Sequence, residues 1–381
     1  MKLTQEQIRY CMECGVCTGS CPVSRVLPSF SPRQMVKRIL MDRDAAVLAS
    51  RELWACLTCA RCSVRCPAGI DFPEFARTHR VAARAEGNQP QLSHHGTLQT
   101  IMSLQTRPGV QQKRTDWARE AGGKFAESGD VFFFVGCAPY LEAALPYGGT
   151  ALEAVRGVLK LLNLMGITPV ISDRERCCGH DALWSGDEAT FKKLAEKNVE
   201  TIKASGAKTV VFSCPEGYTT FRDEIPKFLG ALPFEVAHVT EFLARELPKS
   251  GLAPRAAGNG DGKGVRVTYQ DPCRLGRKAG IYDAPRDLLR LIPGVSLDEM
   301  SRSRENALCC GTSAWMECSA CSKAMQVERI EEARDTGAEA LITACPKCRI
   351  HLVCAENNTD LTLPVEDIFD FLLRYYGPEA A

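Results

Sequence analysis

The 381-residue chain has almost no net charge and no long apolar run. Lys and Arg number 47 against 46 Asp and Glu, a formal charge of +1. That balance gives no support for nucleic-acid binding or for a polybasic membrane anchor. The most apolar runs, such as Val131-Phe132-Phe133-Phe134-Val135, are far too short to cross a bilayer. The N-terminal MKLTQEQIRYC lacks the apolar core of a signal peptide. The expectation is a cytoplasmic protein with no transmembrane segment of its own, reaching the cytoplasmic face of a membrane only through a partner subunit. A dinucleotide fingerprint is missing too. Gly258-Asn259-Gly260-Asp261-Gly262 precedes a strand, the reverse of the arrangement that cradles a pyrophosphate. Any flavin, nicotinamide or quinone would have to come with a partner.

What is present is cysteine, 20 residues of it. In a secreted chain this would read as disulfides; in an intracellular chain of this size it reads as metal sites. The Cys-x-x-Cys spacings are too tight for a disulfide ladder and decide for metal. Sensitivity to oxygen, and hence an anaerobic setting, follows. An apolar content of 45% is enough to bury a core, and the length allows two or three domains.

Residues 1–90 hold two copies of one motif. The first is Cys11-x2-Cys14-x2-Cys17-x3-Cys21-Pro22 and the second Cys56-x2-Cys59-x2-Cys62-x3-Cys66-Pro67. This is the run found in bacterial ferredoxins, in which the fourth Cys serves the other cluster. Two-residue gaps wrap a loop around one cube, and the Cys before Pro opens a helix that points at its neighbour. One [4Fe-4S] cubane is therefore expected on Cys11, Cys14, Cys17 and Cys66, and a second on Cys56, Cys59, Cys62 and Cys21. Ser31-Pro32-Arg33 starts a helix with Met35, Ile39 and Leu40 on its apolar face, Ser acting as N-cap and Pro in the first turn. A further helix covers Glu74 to Glu86. These residues read as an α-helical ferredoxin domain. Residues 91–130 read as a connector in which His94 and His95 are solvated.

Residues 131–381 repeat one order of elements. In the first copy, strand Val131–Val135 runs into Gly136-Cys137. Helix Thr150–Met165, strand Ile167–Ile171, the Cys177-Cys178-Gly179-His180 turn, a helix over 188–205 and strand Thr209–Phe212 follow, ending in Cys214-Pro215-Glu216-Gly217. After a Gly-rich linker, 250–264, strand Val265–Tyr269 runs into Asp271-Pro272-Cys273. Helix Ala284–Leu291, Cys309-Cys310-Gly311, helix Met325–Thr336 and strand Ala340–Thr343 follow, ending in Cys345-Pro346-Lys347-Cys348. Strands alternating with helices imply parallel sheets. The fold expected is thus a pseudo-twofold pair of α/β cysteine-rich lobes, 131–249 and 265–381, with thiols at the carboxyl ends of the strands, where sites collect.

The two thiol sets differ. The second lobe has five, Cys273, Cys309, Cys310, Cys345 and Cys348. A tetrahedral zinc site and an ordinary cubane each close with four ligands. Five imply an unusual cluster, or four ligands and one redox-active thiol. The first lobe has Cys137, Cys177, Cys178 and Cys214, with Gly217 where the fifth would stand. Those four either hold a further cluster or pack an interface. Lys347 and Arg274 flank the second set, offsetting cluster charge, favouring an anionic substrate, or simply solvated. His180 and Asp181 read as a structural pair or a proton donor. Cys318, Cys321 and Cys354 read as small buried residues near the site, the first two one helical turn apart.

The Cys, Cys-Cys-Gly, Cys-Pro-x-Cys pattern resembles the cysteine-rich domain in the B component of heterodisulfide reductase. The Trp54-Ala55-Cys56-Leu57-Thr58-Cys59 and Cys66-Pro67 contexts resemble its C component. Both in one chain resemble the D component, and are similar to iron–sulfur subunits of glycolate oxidase and anaerobic glycerol-3-phosphate dehydrogenase. The resemblance implies a non-cubane [4Fe-4S] cluster ligated by Cys273, Cys309, Cys310, Cys345 and Cys348. It implies an oxidoreductase acting on sulfur groups, fed through the two cubanes and working on a disulfide, thiol or partner protein. Its partners would be a flavoprotein or hydrogenase-type donor subunit, or a membrane cytochrome b-type subunit. The reductases of methanogens split the disulfide between two such clusters; Gly217 departs from that pattern. The other reading is an electron wire between a flavin dehydrogenase and a quinone or membrane cytochrome.

Overall fold

The computed structural model describes residues 8–145, 150–258 and 264–378. The N-terminal part is helical. Short helices over Val16–Ser20 and Pro22–Val26 follow the first cysteine loop. Helix α1 (Pro32–Leu40) starts where Ser31 Oγ accepts from Gln34 N at 3.2 Å. Met35, Val36 and Ile39 form its buried face, whereas Leu40, expected there, is exposed. Helix α2 (Phe72–Ala85) begins two residues earlier than the spacing suggests, because Asp71 caps it by accepting from Glu74 N. It buries Phe72, Phe75 and Ala76, and with them Arg77 and Arg80.

Residues 91–130 are not an irregular connector. Leu92 bridges Met316, Ser93 N donates to Trp315 O at 2.8 Å, and Glu317 N donates to Gln91 O at 2.9 Å. Helix α3 (Thr97–Gln105) then buries Leu98 and Met102. His94 and His95 are exposed, as expected. The segment is a strap fastened to the loop that follows Cys309-Cys310-Gly311.

Two parallel sheets come next. Strands β1 (Val131–Phe134), β2 (Thr209–Phe212) and β3 (Glu235–His238) pair in that order. Strands β4 (Val265–Gln270), β5 (Val295–Leu297), β6 (Ala340–Thr343) and β7 (Val365–Asp367) form a second sheet in the order β5-β4-β6-β7. Val131 is level with Thr209, and Thr268 with Leu341. Phe132, Phe133 and Phe134 in β1 and all of β6 are buried, as strands covered on both faces must be. Helices α4 (Thr150–Leu164), α5 (Glu188–Ser205), α6 (Val239–Glu246), α7 (Asp283–Arg290), α8 (Ala320–Arg334), α9 (Pro346–Glu356) and α10 (Ile368–Tyr376) connect and cover the sheets. Ile167–Ile171 is not a strand. Only Val170 joins, bridging Ala126 and Phe132, because Pro169 has no N–H with which to extend a ladder. Of the glycine run 258–262, all but Gly258 lies outside the described residues.

The sheets place the cysteines. Cys137, Cys214, Cys273 and Cys345 each follow the carboxyl end of a strand (β1, β2, β4 and β6). The lobes also touch away from this edge. Gly157 of α4 lies so close to α10 that an added Cβ would sit 2.9 Å from the Phe369 carbonyl carbon. Gly157→Ala is expected to lower the unfolding free energy by about 1–3 kcal/mol through overpacking, read by chemical denaturation.

His238 closes β3 and caps α6, its Nδ1 accepting from Thr240 N at 3.3 Å. Full burial pushes its imidazole down to about 3 from the ordinary 6.5. The unfolded chain then binds the proton more readily, so stability is full above pH 6.5 and drains as the pH falls towards 3. Denaturant titrations across that window should show wild type losing about 1.4 kcal/mol per pH unit relative to His238→Gln. Parallel pH profiles for the two proteins would contradict this.

Candidate functional site

The two ferredoxin-type loops gather their thiols around two cavities. Cys11, Cys14, Cys17 and Cys66 line one cavity together with Cys62, Val36, Ile70 and Phe72. Cys21, Cys56, Cys59 and Cys62 line another, with Phe30, Phe72 and Pro73. The surroundings are apolar, and burial pushes the Cys21 thiol up to about 12. A clustered group of thiols in such a setting suits iron, which takes each sulfur as a thiolate and offsets the negative charge that burial disfavours. Both sets fit a four-thiolate cluster by donor type and number.

The Cys56–Cys59 loop is held by arginines. Arg80, fully buried on α2, donates to the carbonyls of Leu53, Trp54 and Cys56, the last at 2.7 Å. Its remaining nitrogen reaches Trp184 O at 2.8 Å, at the end of the short helix His180–Trp184. Arg274 stacks on the Trp184 ring at 4.2 Å and donates to Thr58 Oγ1 at 2.7 Å. Arg277 donates to Cys59 O at 2.7 Å and to Ala307 O at 2.8 Å. Thr58 Oγ1 also shares a 3.1 Å hydrogen bond with Ser313 Oγ. The second ferredoxin-type loop is thereby seated between the two lobes.

Seated there, Cys59 meets the second-lobe thiols. The Cys309 thiol hydrogen-bonds to Cys59, Cys273 and Cys310; Cys310 and Cys345 in turn contact Cys348. Cys59, Cys309, Cys310, Cys345 and Cys348 form one buried cluster with Ile330, Leu341 and Leu352. The Cys309 thiol donating to it draws Cys59 down to about 5, against burial and with help from Arg277. Cys310 and Cys345 accept from their neighbours and lie well below the usual thiol range; Cys309 and Cys348 lie well above it. Burial opposes the Arg277 charge, yet Cys59, Cys273 and Cys309 hold its pKa above the usual value. His351, one turn after Cys348 on α9, brings Nδ1 to 3.4 Å from Cys310 Sγ. All five sequence-identified thiols come together here.

The first-lobe set is looser. Cys137 contacts Cys177, and Cys177 contacts Cys178, but Cys214 leans across the lobe boundary and hydrogen-bonds Cys345. An added Cβ at Gly217 would lie 3.9 Å from the Cys178 Cβ and 3.2 Å from Phe212. The position therefore faces its Cys-Cys-Gly turn, as Cys348 faces Cys310. Behind Cys137, Glu175 accepts from Val135 N and Gly136 N and pairs with Arg114 at 2.7 Å, so the 91–130 strap also fixes this strand end.

The charged residues near the thiols are not solvated. Lys347 is buried and pairs with Asp181 and with Glu216, the latter at 2.5 Å. Burial opposes its charge, but Asp181, Glu216 and Cys137 push its pKa well up. His180 turns Nδ1 to Asp181 Oδ1 at 3.1 Å, and burial keeps the ring below the usual histidine range. Asp181, through Lys347, ties the first lobe to the second. Arg274 is equally buried. Three leftover cysteines depart from expectation. Cys318 is exposed and precedes α8, so it shares no helical turn with Cys321, whose thiol reaches Val26 O at 3.7 Å. Cys354 faces Lys323. Sequence reasoning passed over Arg80, Arg277, Glu216 and His351. Only His351 had a signal, its three-residue spacing from Cys348 on a helix that Pro346 starts.

Comparison with known proteins finds a 4Fe-4S dicluster domain over residues 7–70 and a cysteine-rich domain over 131–222 and again over 267–353. The chain is 33% identical over 262 residues to the D component of dihydromethanophenazine:CoB–CoM heterodisulfide reductase from Methanosarcina acetivorans, covering 67% of this chain and 61% of that one. It is 32% identical to EtfAB:quinone oxidoreductase of Syntrophomonas wolfei over 62% of this chain and 34% of that one. It is 28% identical to the probable iron–sulfur-binding oxidoreductase FadF of Bacillus subtilis over 89% of this chain and 55% of that one. The chain thus spans less than two thirds of these relatives. Among solved structures, a hypothetical protein from Helicobacter pylori shares the fold at a TM-score of 0.51 and 10% identity, over 92% of this chain and 67% of that one. No described helix is long and apolar enough to cross a membrane.

Lys347→Met would leave Asp181 and Glu216 buried without their cation. The expected loss is about 3–5 kcal/mol of unfolding free energy, measured by chemical denaturation. An unchanged midpoint would contradict the pairing.

Proposed function

The chain belongs to the iron–sulfur proteins of the heterodisulfide reductase D type, and from that membership we propose that it is one component of an oxidoreductase complex that works on an S–S bond. Electrons enter the ferredoxin domain, 1–90, and are used at the second of two pseudo-twofold lobes, 265–381. The observation that carries this reading is the contact of Cys59 with Cys309, which joins a cubane-type thiol set to the five-thiol set without an intervening residue. The reaction is RSSR′ + 2e⁻ + 2H⁺ → RSH + R′SH, or its reverse.

The residues present fit the implied groups. Cys11, Cys14, Cys17 and Cys66 would hold one cubane and Cys56, Cys59, Cys62 and Cys21 another. Cys273, Cys309, Cys310, Cys345 and Cys348 would hold a non-cubane [4Fe-4S] cluster. When bound, these groups supply single-electron steps and, at the five-thiolate site, an iron able to take a substrate sulfur. The protein supplies the rest. Arg274 and Arg277 offset thiolate charge where the ferredoxin loop meets the second lobe. Thr58 and Ser313 fix the loop against the lobe. Lys347, held by Asp181 and Glu216, keeps the first lobe against the second set. The first lobe, 131–249, lacks the fifth thiol at Gly217, so chemistry is assigned to the second. A cytoplasmic site of action, with a flavoprotein, hydrogenase-type or membrane cytochrome b-type partner, completes this reading.

A second reading has support in the relatives named EtfAB:quinone oxidoreductase and FadF. In it the chain only conducts electrons between a flavin dehydrogenase and a quinone. One experiment separates the two. Anaerobically purified protein is oxidised in the presence of thiols, and its paramagnetic signals are recorded. A thiol-dependent signal that Cys310→Ala abolishes supports disulfide chemistry; no such signal with any thiol supports the conductor. Iron analysis should give about twelve per chain, falling to about eight in Cys310→Ala. About eight in wild type would overturn the special cluster.

A further inference from the structure

Helix α9 carries Cys348, His351 and Cys354 at three-residue spacing, which aligns them along one face. Cys348 belongs to the five-thiol set and His351 touches Cys310. Cys354 stands at the outer end, half-buried, facing α8. There Lys323 Nζ approaches Cys354 Sγ to 2.7 Å. Three other nitrogen–sulfur contacts among the described residues are longer: 3.4 Å for Thr58 N to Cys56, 3.5 Å for Gly179 N to Cys177 and 3.4 Å for His351 to Cys310. Among the described residues no carboxylate pairs with Lys323, an unusual situation for a half-buried lysine in a chain so rich in ion pairs. A nitrogen and a sulfur this close are nearer than a hydrogen bond to sulfur needs and farther than a direct bond. One bridging atom spans the gap.

We propose that Lys323 and Cys354 are a modification site that closes into a covalent N–O–S bridge when the protein meets dioxygen. The balance is Cys–SH + Lys–NH₂ + O₂ → Cys–S–O–NH–Lys + H₂O. The S–H bond, one N–H bond and the O–O bond break; S–O and N–O bonds form. Sulfur and nitrogen each give up two electrons, and dioxygen takes all four. One of its oxygens stays in the bridge, and the other leaves as water with the two hydrogens released. Sulfur reaches the sulfenyl level, which thiols reverse. Reopening takes four electrons, as from two molecules of a dithiol, and returns water, thiol and amine.

The site's position gives the bridge a consequence. Helix α8 follows directly on the Cys309-Cys310 loop, and α9 begins at Cys345 and carries Cys348. A bridge between them locks together the two helices that flank the second-lobe thiols. It thereby records oxidation at the part of the chain that oxygen would damage. It depends on no cluster, and stands or falls independently of the disulfide chemistry above.

The test uses full-length protein purified without oxygen and divided in two, one half exposed to air. Both are digested without reductant and examined by mass spectrometry. The aerated half should yield a linked pair of peptides containing Lys323 and Cys354, heavier than their sum by one oxygen less two hydrogens. The link should be absent from the anaerobic half, from Lys323→Arg and from Cys354→Ser, and should vanish with dithiothreitol. The proposal is overturned if iodoacetamide labels Cys354 equally in both halves. It is equally overturned if aerated Cys354 is found in a disulfide with Cys318 or as an unlinked sulfinic acid.

Discussion

The arrangement depends on three arginines around a single loop, Arg80 and Arg274 buried and Arg277 half-buried. A guanidinium taken out of water costs several kcal/mol unless its donors are met. Arg80 meets that cost with the carbonyls of Leu53, Trp54 and Cys56 on one side and Trp184 on the other. It therefore works as a bracket. It fixes the course of the chain into Cys56 and binds that loop to the helix that follows Cys177-Cys178-Gly179. Arg274 and Arg277 fasten the other side of the loop to the second lobe. Together with the Thr58–Ser313 hydrogen bond, the three bring Cys59 against Cys309. The placement of Cys59 beside Cys309 thus rests on these hydrogen bonds.

The lobes share a plan and differ at the point of chemistry. Each sheet delivers cysteines at its strand ends. Cys348 contacts Cys310 in the second lobe, but the matching position in the first is Gly217. His351, six residues after Cys345, faces a thiol; Thr220, six residues after Cys214, has a hydroxyl with no partner among the described residues. The first lobe turns its polar groups to another use. Asp181 and Glu216 receive Lys347, which stands between Cys345 and Cys348. The depleted lobe serves as a counter-charged support for the complete one.

Much of this was legible in the order of residues. The cysteine spacings marked out the thiol sets but not that Cys62 lines both ferredoxin-type cavities, Cys59 meets Cys309 and Cys214 meets Cys345; strands β2 and β6 have the bounds that their β-branched runs suggest. The rest was hidden for physical reasons. Arg77 and Arg80 sit on an amphipathic helix, where sequence alone reads an arginine as a solvated face. Strands β5 and β7 are three residues each, too short for any periodicity. Ile167–Ile171 has strand composition, but Pro169 leaves only Val170 in the ladder. The strap at 91–130 is polar because it runs over the surface, yet main-chain bonds to Trp315 and Glu317 fasten it. Cys318 looked like a partner of Cys321 until the start of α8 fell between them.

The central claim is that the five second-lobe thiols form a redox centre in contact with the second ferredoxin-type set. Anomalous scattering at the iron edge from crystals grown without oxygen tests it most directly. The account predicts three separate iron centres, the third enclosed by Cys273, Cys309, Cys310, Cys345 and Cys348 and beside the one at Cys59. Iron confined to the two ferredoxin-type sets, or a third centre on Cys137, Cys177, Cys178 and Cys214 instead, would contradict it.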